Sequence, residues 1–420
     1  MADKYIEFGF GKEKMGVHIP EENFLGSLLP RSEGAVPDYL QVVENALATP
    51  IGTKTLEEIV KPGQRVAIVI SDVTRPCPSY KLLPSVLAIL NNAGVRDEDI
   101  TIVSGLGSHR SQSQEEHRRL VGDEVYDRIK VEDSTAHGFI SIGTTKRGTP
   151  LEVAETVVEA DIRICIGNID YHYFAGYSGG AKAIMPGVCT RATIEANHSM
   201  MLEAAARVGH IEGNPVRADL EEILEYLPID FILNVVLNEK KEIVGAVAGD
   251  AVKAHRRGCE ILDDIYKQYI DKKADIVIAS PGGLPKDINV YQTQKALDNA
   301  QWAVKDGGII ILVGEAAEGY GEKTFETWLT EANSPDELLD RIQREFRLGG
   351  HKAAAIAAVT KKCRVYFVTS LAEDKVKKLY MRPFKDLETA FAAALAEKGD
   401  SAAVYAMTVG GTTLPVYRGV

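Results

Sequence analysis

No Cys-x-x-Cys pair occurs in this 420-residue chain. Its five cysteines, Cys77, Cys165, Cys189, Cys259 and Cys363, are scattered and odd in number. That argues against a disulfide framework and against a cysteine metal site, and it fits a reducing cytoplasm. Apolar runs are short: none approaches the ~20 residues that a membrane span needs. The opening residues, Met1-Ala2-Asp3-Lys4-Tyr5-Ile6-Glu7, are too charged for a signal peptide. Positive charge is scarce as well. With 48 Lys and Arg against 60 Asp and Glu, the net charge is −12. This excludes a general nucleic-acid binder, which needs a basic face, while leaving room for a local basic pocket. There is no low-complexity tract, and no repeat at a period of about 20–50 residues. The remaining composition is ordinary for a soluble globular protein, with length for about two or three domains.

Strand signals recur, each followed by polar residues. Arg65–Ile70 is a continuous apolar run, the pattern of a strand buried on both faces. It ends in Ser71-Asp72-Val73-Thr74-Arg75-Pro76. Ligands bind at such carboxyl ends in open parallel sheets, so Asp72, Thr74 and Arg75 are candidate binding groups. Pro76 and Pro78 stiffen the exit, and Tyr80–Ala93 predicts the following helix. Ile100–Val103 predicts a second strand, ending in Ser104-Gly105-Leu106-Gly107-Ser108-His109-Arg110. Arginine stands where a dinucleotide fingerprint wants its third glycine, so the match to that fingerprint is weak. His109 reads either as a general base at a site mouth or as a plain surface-loop histidine. Tyr5–Phe10 predicts an edge strand, Thr55–Ile59 a short helix, and Leu151–Ala160 a helix leading into a central strand.

The richest stretch is Asn168–Ser199. Before it, Ile162, Ile164 and Ile166 alternate with Arg163 and Cys165, the period of a strand with one buried face. Gly167-Asn168 reads as the break. His172 follows, then the flexible run Gly176-Tyr177-Ser178-Gly179-Gly180, then Lys182, with Pro186-Gly187 closing the loop. From Thr190 the pattern turns helical, placing Ile194, His198 and Leu202 on one inward face. Glycines such as Gly179 and Gly180 let backbone N–H groups approach an anion. A partly desolvated lysine can act as a nucleophile or carry a covalent cofactor. A neutral imidazole is a common metal ligand, although a histidine on an apolar helix face is more often a core residue. The run is not a Walker A loop, because Ala181 precedes Lys182 and Ala183 follows it.

Phe231–Leu237 and Glu242–Val247 flank Asn238-Glu239-Lys240-Lys241 and predict a hairpin. Ala251–Ile270 predicts a helix, and Asp271-Lys272-Lys273 an interdomain hinge. A second α/β unit then begins with strands expected at Ile276–Ala279, Ile309–Val313, Arg364–Val368, Ala403–Met407 and Leu414–Tyr417. Its first helix carries Tyr291, Gln292 and Lys295, and Gln292 and Lys295 share a face. The fold class is therefore α/β: two α/β domains with largely parallel sheets and a site in the cleft between them.

Taken together, SDVTRPCP (71–78), SHR (108–110), YHYFAGYSGGAK (171–182), ANHS (196–199) and VYQTQK (290–295) resemble the nickel-pincer-dependent lactate racemase family, over nearly the whole chain. The resemblance implies a nickel-pincer nucleotide, a nickel-bearing pyridinium-3,5-bisthiocarboxylic acid mononucleotide. Lys182 would tether it covalently as a thioamide, and His198 would supply the protein's ligand to Ni. His109 and His172 would be the acid/base pair. Asp72, Val73, Thr74 and Arg75, with Gly179 and Gly180, would contact the nucleotide. Arg75, Tyr291, Gln292 and Lys295 would line the substrate pocket. The resemblance also implies domains at residues 1–271, joined by the tail 404–420, and at 272–403. Its partners would be a small 2-hydroxy acid and the cofactor-synthesis enzymes, without nucleic acid or membrane; a homo-oligomer is compatible with it. Lactate is the first substrate it points to, and Lys352 admits malate or a longer acid.

The implied chemistry is coherent. The C2 hydrogen of a 2-hydroxy acid is poorly acidic, so removing it as hydride while a histidine takes the hydroxyl proton avoids a carbanion. Return of hydride to the other face of the planar 2-oxo acid inverts the centre. Arg75 offers a bidentate grip on the carboxylate. Two other readings compete: an NAD-dependent 2-hydroxy acid oxidoreductase, which lacks its third glycine and a clear acidic ribose contact here, and a non-catalytic nucleotide or hydroxy-acid binder, which would not need three such histidines.

Overall fold

The computed structural model describes residues 3–31 and 35–419. Met1, Ala2 and residues 32–34, which belong to the expected first domain, lie outside the described residues, as does Val420, the end of the expected tail. The chain divides into two units, Glu33–Asp263 and Met1–Ser32 with Asp264–Val420.

In the unit Glu33–Asp263, six strands form a sheet in the order Ile243–Gly249, Phe231–Leu237, Ile162–Ile169, Val66–Ser71, Ile100–Gly105, Lys130–Asp133. All neighbours are parallel except the predicted hairpin of Phe231–Leu237 with Ile243–Gly249. The chain steps outward in one direction from Val66–Ser71, then in the other from Ile162–Ile169. The loops leaving these two neighbouring strands therefore diverge at a topological switch point, the place where such sheets bind ligands. Helices Tyr39–Ala48 and Ser79–Asn92 bury Val43, Leu47, Leu82, Leu83, Val86 and Leu90 in one core with Ile68, Ile102 and Ile164.

The strand Ile162–Ile169 is buried along its whole length, so its isoleucine alternation does not mark one wet face. Arg163 is buried by capping chain ends: its Nε donates to Pro228 O at 2.7 Å and Nη1 to Ala160 O at 2.5 Å. Gly167-Asn168 is no break, since Asn168 pairs with Val235 and the strand runs on to Ile169. Leu151–Ala160, read as helix, is a strand over Pro150–Ala154, paired with Phe139–Thr144, and a helix only over Glu155–Glu159.

In the other unit the sheet order is Arg382–Phe384, Arg364–Val368, Val304–Val313, Ala274–Ala279, Val404–Met407, Phe24–Ser27, parallel throughout. This corrects the expected boundaries. Val404–Met407 lies inside the second sheet, between Ala274–Ala279 and Phe24–Ser27, which forms its edge. The hairpin of Asp3–Phe10 with Glu13–Pro20 drops Phe8, Phe10, Val17 and Ile19 into the same core. Both chain ends thus belong with the C-terminal unit, and tail 404–420 does not join the first. The division falls at Asp263, ahead of the expected hinge at Asp271, because helix Lys253–Tyr266 is followed by strand Lys267–Ile270, which pairs with Leu414–Tyr417. Among the described residues, no helix is long and apolar enough to cross a membrane.

Candidate active site

Every candidate group numbered below 200 falls in the unit Glu33–Asp263. Asp72, Val73, Thr74 and Arg75 follow strand Val66–Ser71; His109 follows Ile100–Gly105; His172 follows Ile162–Ile169. One residue outside the predicted set ties the first two loops together. Gln112 Oε1 accepts from Val73 N at 2.8 Å, while its Nε2 donates to Ser104 Oγ at 2.5 Å and to Asp133 Oδ1 at 3.2 Å.

Asp72 is buried and faces His109, with Oδ2 3.0 Å from Nδ1. Its other oxygen accepts from Thr74 N at 2.7 Å. Burial works to raise the Asp72 carboxyl, but the hydrogen bonds from His109 and Thr74 outweigh it and hold the group below its ordinary range. An ionised carboxylate only accepts, so His109 Nδ1 donates, leaving a lone pair on Nε2 in the neutral ring. Asp72, expected as a nucleotide contact, also hydrogen-bonds the candidate base.

We expect Asp72→Asn to lower turnover by about 10²-fold, the lower end of what a positioned acid–base group contributes. A pH signature accompanies it. Because the folded carboxyl sits below its unfolded value, its stabilising contribution is present above that unfolded value, about pH 4, and is lost as pH falls through the folded pKa. Thermal melts should show the gap between wild type and Asp72→Asn closing below about pH 4; a gap that widens there would contradict the ion pair.

His172 Nδ1 accepts from Ala175 N at 3.2 Å, which leaves the ring's own proton on Nε2. The ring lies 4.5 Å from Phe174 at 84°, and Phe174 lies 4.8 Å from His198 at 73°, so both imidazoles pack on one phenyl ring. Burial drives His172 well below its ordinary value, reinforced by Lys182, His198, Arg75 and Arg217. His198 is buried near the end of helix Arg191–Ser199, as the pattern predicted, with Ile194. Leu202 does not continue that face; it is 38% exposed in the next turn. The helix starts on Thr190, which caps Thr193 N, and is held by Asn197, whose side chain donates to buried Asp219 at 2.9 Å.

Lys182 sits in a short 3-10 turn, Gly180–Ala183, which packs against strands Val66–Ser71 and Ile162–Ile169. Gly179 and Gly180 have φ of 80° and 60°, and a Cβ on Gly180 would lie 2.9 Å from Ala251 O. Only glycine fits that turn. Gly180 N donates to Asn234 Oδ1 at 2.8 Å, so this amide is engaged by the protein and not held open for an anion. Burial, with Arg75 and Arg217, pushes the half-buried Lys182 amine down to about 7. The Arg75 side chain is exposed and makes no ion pair among the described residues.

Tyr291, Gln292 and Lys295 belong to the other unit, on helix Val290–Ala300, which is capped by Asn289. Lys295 is exposed. Lys352, expected to admit a larger acid, is turned inward: it is 8% exposed, its Nζ donates to Tyr291 O at 2.6 Å and lies 4.0 Å over the Tyr291 ring. Burial lowers its amine and raises the Asp298 carboxyl.

Two family profiles match the chain: "Lactate racemase N-terminal domain" over residues 10–209 and "Lactate racemase C-terminal domain" over residues 270–414. A lactate racemase of Thermoanaerobacterium thermosaccharolyticum is 34% identical over 394 residues, 91% of this chain and 92% of that protein. One of Lactiplantibacillus plantarum is 32% identical over 416 residues, 95% and 96% of the two. The solved lactate racemase apoprotein from T. thermosaccharolyticum superposes with a TM-score of 0.88 at 33% identity, covering 98% of this chain and all of that one. A Thermotoga maritima protein, 18% identical with a TM-score of 0.65, shares the fold.

Proposed function

The chain belongs to the lactate racemase family, and from that premise we propose that it racemises lactate by moving the C2 hydrogen as hydride through a 2-oxo acid, on a nickel-pincer nucleotide anchored at Lys182. The observation that carries this reading is the cluster of basic groups around His172: burial, then Lys182, His198, Arg75 and Arg217, all oppose protonation of that ring, and His198 packs on the same phenyl ring. Such a field suits an anionic nucleotide and a carboxylate substrate, and it disfavours a cationic ligand.

The residues fit the cofactor by their chemistry. An amine held near 7 is about half uncharged at neutral pH, and the uncharged form is the one that attacks a carbonyl or thiocarbonyl carbon. The buried imidazole of His198, packed on the same phenyl ring as His172, is a suitable nitrogen donor for nickel, and the buried cysteines lie too scattered to compete as a set. Lys182 would hold the nucleotide and His198 would complete the metal's ligands. The chemistry such a group would supply when bound is acceptance and return of the C2 hydride.

The chain's own residues supply the rest. Arg75 grips the carboxylate through its planar fork. His109, oriented by Asp72, receives the hydroxyl proton at Nε2. His172, whose ring proton is on Nε2, would serve as the second acid–base group, and an anionic substrate would add the negative charge that lets this ring hold a second proton. Tyr291, Gln292 and Lys295 are the further substrate contacts in this reading. The enzymes that build the cofactor would be its partners, in a reducing cytoplasm where all five cysteines stay free.

The test is isotopic. The loaded protein should convert C2-deuterated L-lactate into D-lactate that keeps its deuterium, because hydride does not exchange with water. Label lost to solvent would replace this mechanism with proton abstraction.

A further inference from the structure

The loop after Val66–Ser71 is held by a relay of side chains to which the proposed mechanism gives no task. Val73 N donates to Gln112 Oε1 at 2.8 Å. A backbone N–H can only donate, so the oxygen of the Gln112 amide faces it and the amide nitrogen faces away. On that other side stand Ser104 Oγ at 2.5 Å and Asp133 Oδ1 at 3.2 Å. The backbone N–H of Gln112 donates to the second oxygen, Asp133 Oδ2, at 3.0 Å. His117 Nε2 lies 2.8 Å from Asp133 Oδ1. Ser104 is fully buried, and the side chains of His117 and Asp133 are each 11% exposed. Turning the amide over would set its nitrogen against Val73 N–H and its oxygen against a carboxylate, so Asp133 fixes which way Gln112 faces.

The segment that carries Gln112 is itself held firmly. Arg110 grips Glu116 through two bonds of 2.8 and 2.6 Å. Ser113 and Glu116 close a capping box at the start of helix Gln114–Val121. His117, on that helix, reaches Asp133 at the end of strand Lys130–Asp133. The amide of Gln112 is therefore a fixed point within the unit Glu33–Asp263.

What it fixes is one peptide plane. The C=O between Asp72 and Val73 accepts from Arg75 N at 3.1 Å, and the N–H of the same plane donates to Gln112. A peptide is rigid, so a plane held at both ends cannot turn. Ser71, on the other side of Asp72, is paired in the sheet with Gly105. The backbone on both sides of Asp72 is thus set, and with it the direction of the side chain that brings Oδ2 to 3.0 Å from His109 Nδ1. We propose that Gln112 is the positioning residue for the Asp72–His109 pair, acting through the Asp72–Val73 peptide, with Asp133 setting the sense of its amide. The inference rests on the proposed function only for the task of His109.

The experiment follows the Nδ1 proton of His109 by nuclear magnetic resonance, in the full chain made without cofactor and with isotope-labelled histidine. His109→Ala identifies the signal by its loss. In wild type that proton, bonded to Asp72, should exchange slowly with water. Gln112→Met keeps the length and removes the amide, and exchange should quicken by about tenfold, roughly the worth of one hydrogen bond. Gln112→Glu keeps an acceptor for Val73 N but turns an oxygen toward Asp133, so it should quicken exchange as well. Adding Asp133→Asn to Gln112→Glu sets a donor opposite that oxygen again, and His117 accepts from the new amide in its other tautomer. The double variant should recover most of the protection. A role confined to stabilising the fold would lower the melting temperature without this pattern of loss and recovery on one proton. In the loaded enzyme, Gln112→Met should lower kcat by about tenfold, and should cost nothing further in an Asp72→Asn background, because it acts through that carboxylate.

An unchanged exchange rate in a folded Gln112→Met protein overturns the inference. If that variant does not fold, the other two decide: exchange unchanged by Gln112→Glu, or not slowed again by the added Asp133→Asn, overturns it. If the proton behaves as stated while His109→Ala racemises lactate at the wild-type rate, the task proposed for His109 fails and the positioning by Gln112 stands.

Discussion

Lys182→Ala should yield a folded protein that carries no adduct and has no measurable turnover at physiological cofactor concentrations. The amine is the one lysine nitrogen of the cluster, on a turn that packs against the two strands flanking the switch point. A tether keeps its ligand at an effective concentration in the millimolar range. A free cofactor at about micromolar concentration must then be bound by contacts alone, a loss on the order of 10³-fold before any misplacement is counted. Intact mass before and after loading gives the readout: wild type gains the cofactor on the Lys182 peptide, and the variant gains nothing. An adduct on another peptide, or an active variant without one, would remove Lys182 from its role. The fold should not suffer. In the cofactor-free protein the folded lysine titrates near 7 and the unfolded one near its ordinary value of about 10.5. The unfolded chain therefore binds more protons between these values, and stability rises with pH across that window. Lys182→Ala removes that rise, so thermal melts between pH 7 and 10 should be flatter than for wild type, and no lower near pH 7.

The sequence made the carboxyl ends of three strands legible because each apolar run stops at polar residues: Asp72–Arg75, His109 and His172. Periodicity also placed His198 on a buried face. The misreadings share one physical cause, pairing with residues far away in the chain. Lys267–Ile270 continues a helical pattern, yet its backbone pairs with Leu414–Tyr417. Phe24–Ser27 is short and carries a glycine, and only its partner Val404–Met407 makes it a strand. Pro150–Ala154 has a pattern compatible with helix or strand, and Phe139–Thr144 decides between them. Gly167 and Asn168 look like a turn, but strand Phe231–Leu237 holds them extended. The carboxylate of Asp72 and the imidazole of His109 are 37 positions apart, and nothing local pairs them. Gln112 is invisible for the same reason: its partners Val73, Ser104 and Asp133 each belong to another segment of the chain.

The two histidines proposed as the acid–base pair stand in different fields, and that asymmetry fixes what their loss should do. His109 faces a carboxylate, and His172 stands among cations. In the substrate-free protein one ring offers a lone pair and the other an N–H, so their tasks toward the two enantiomers differ. Yet a variant cannot lose one direction of the overall reaction alone. The enantiomers are equal in free energy, so the equilibrium constant is one, and any catalyst must change kcat/KM for both directions by the same factor. His109→Ala and His172→Ala should each lower racemisation by about 10²–10⁴-fold, equally from D- and L-lactate, the range that a positioned general acid or base contributes. The asymmetry should appear instead in the half reaction. With enzyme in excess and lactate trapped as its 2-oxo acid, His109→Ala should retain oxidation of one enantiomer and lose the other, and His172→Ala should show the reverse preference. Equal loss of both half reactions in both variants would mean that the rings act as one unit. Full racemisation with either ring deleted would mean that the proton travels by another group, and Asp72 would be the first to examine, since it is the buried carboxylate against His109.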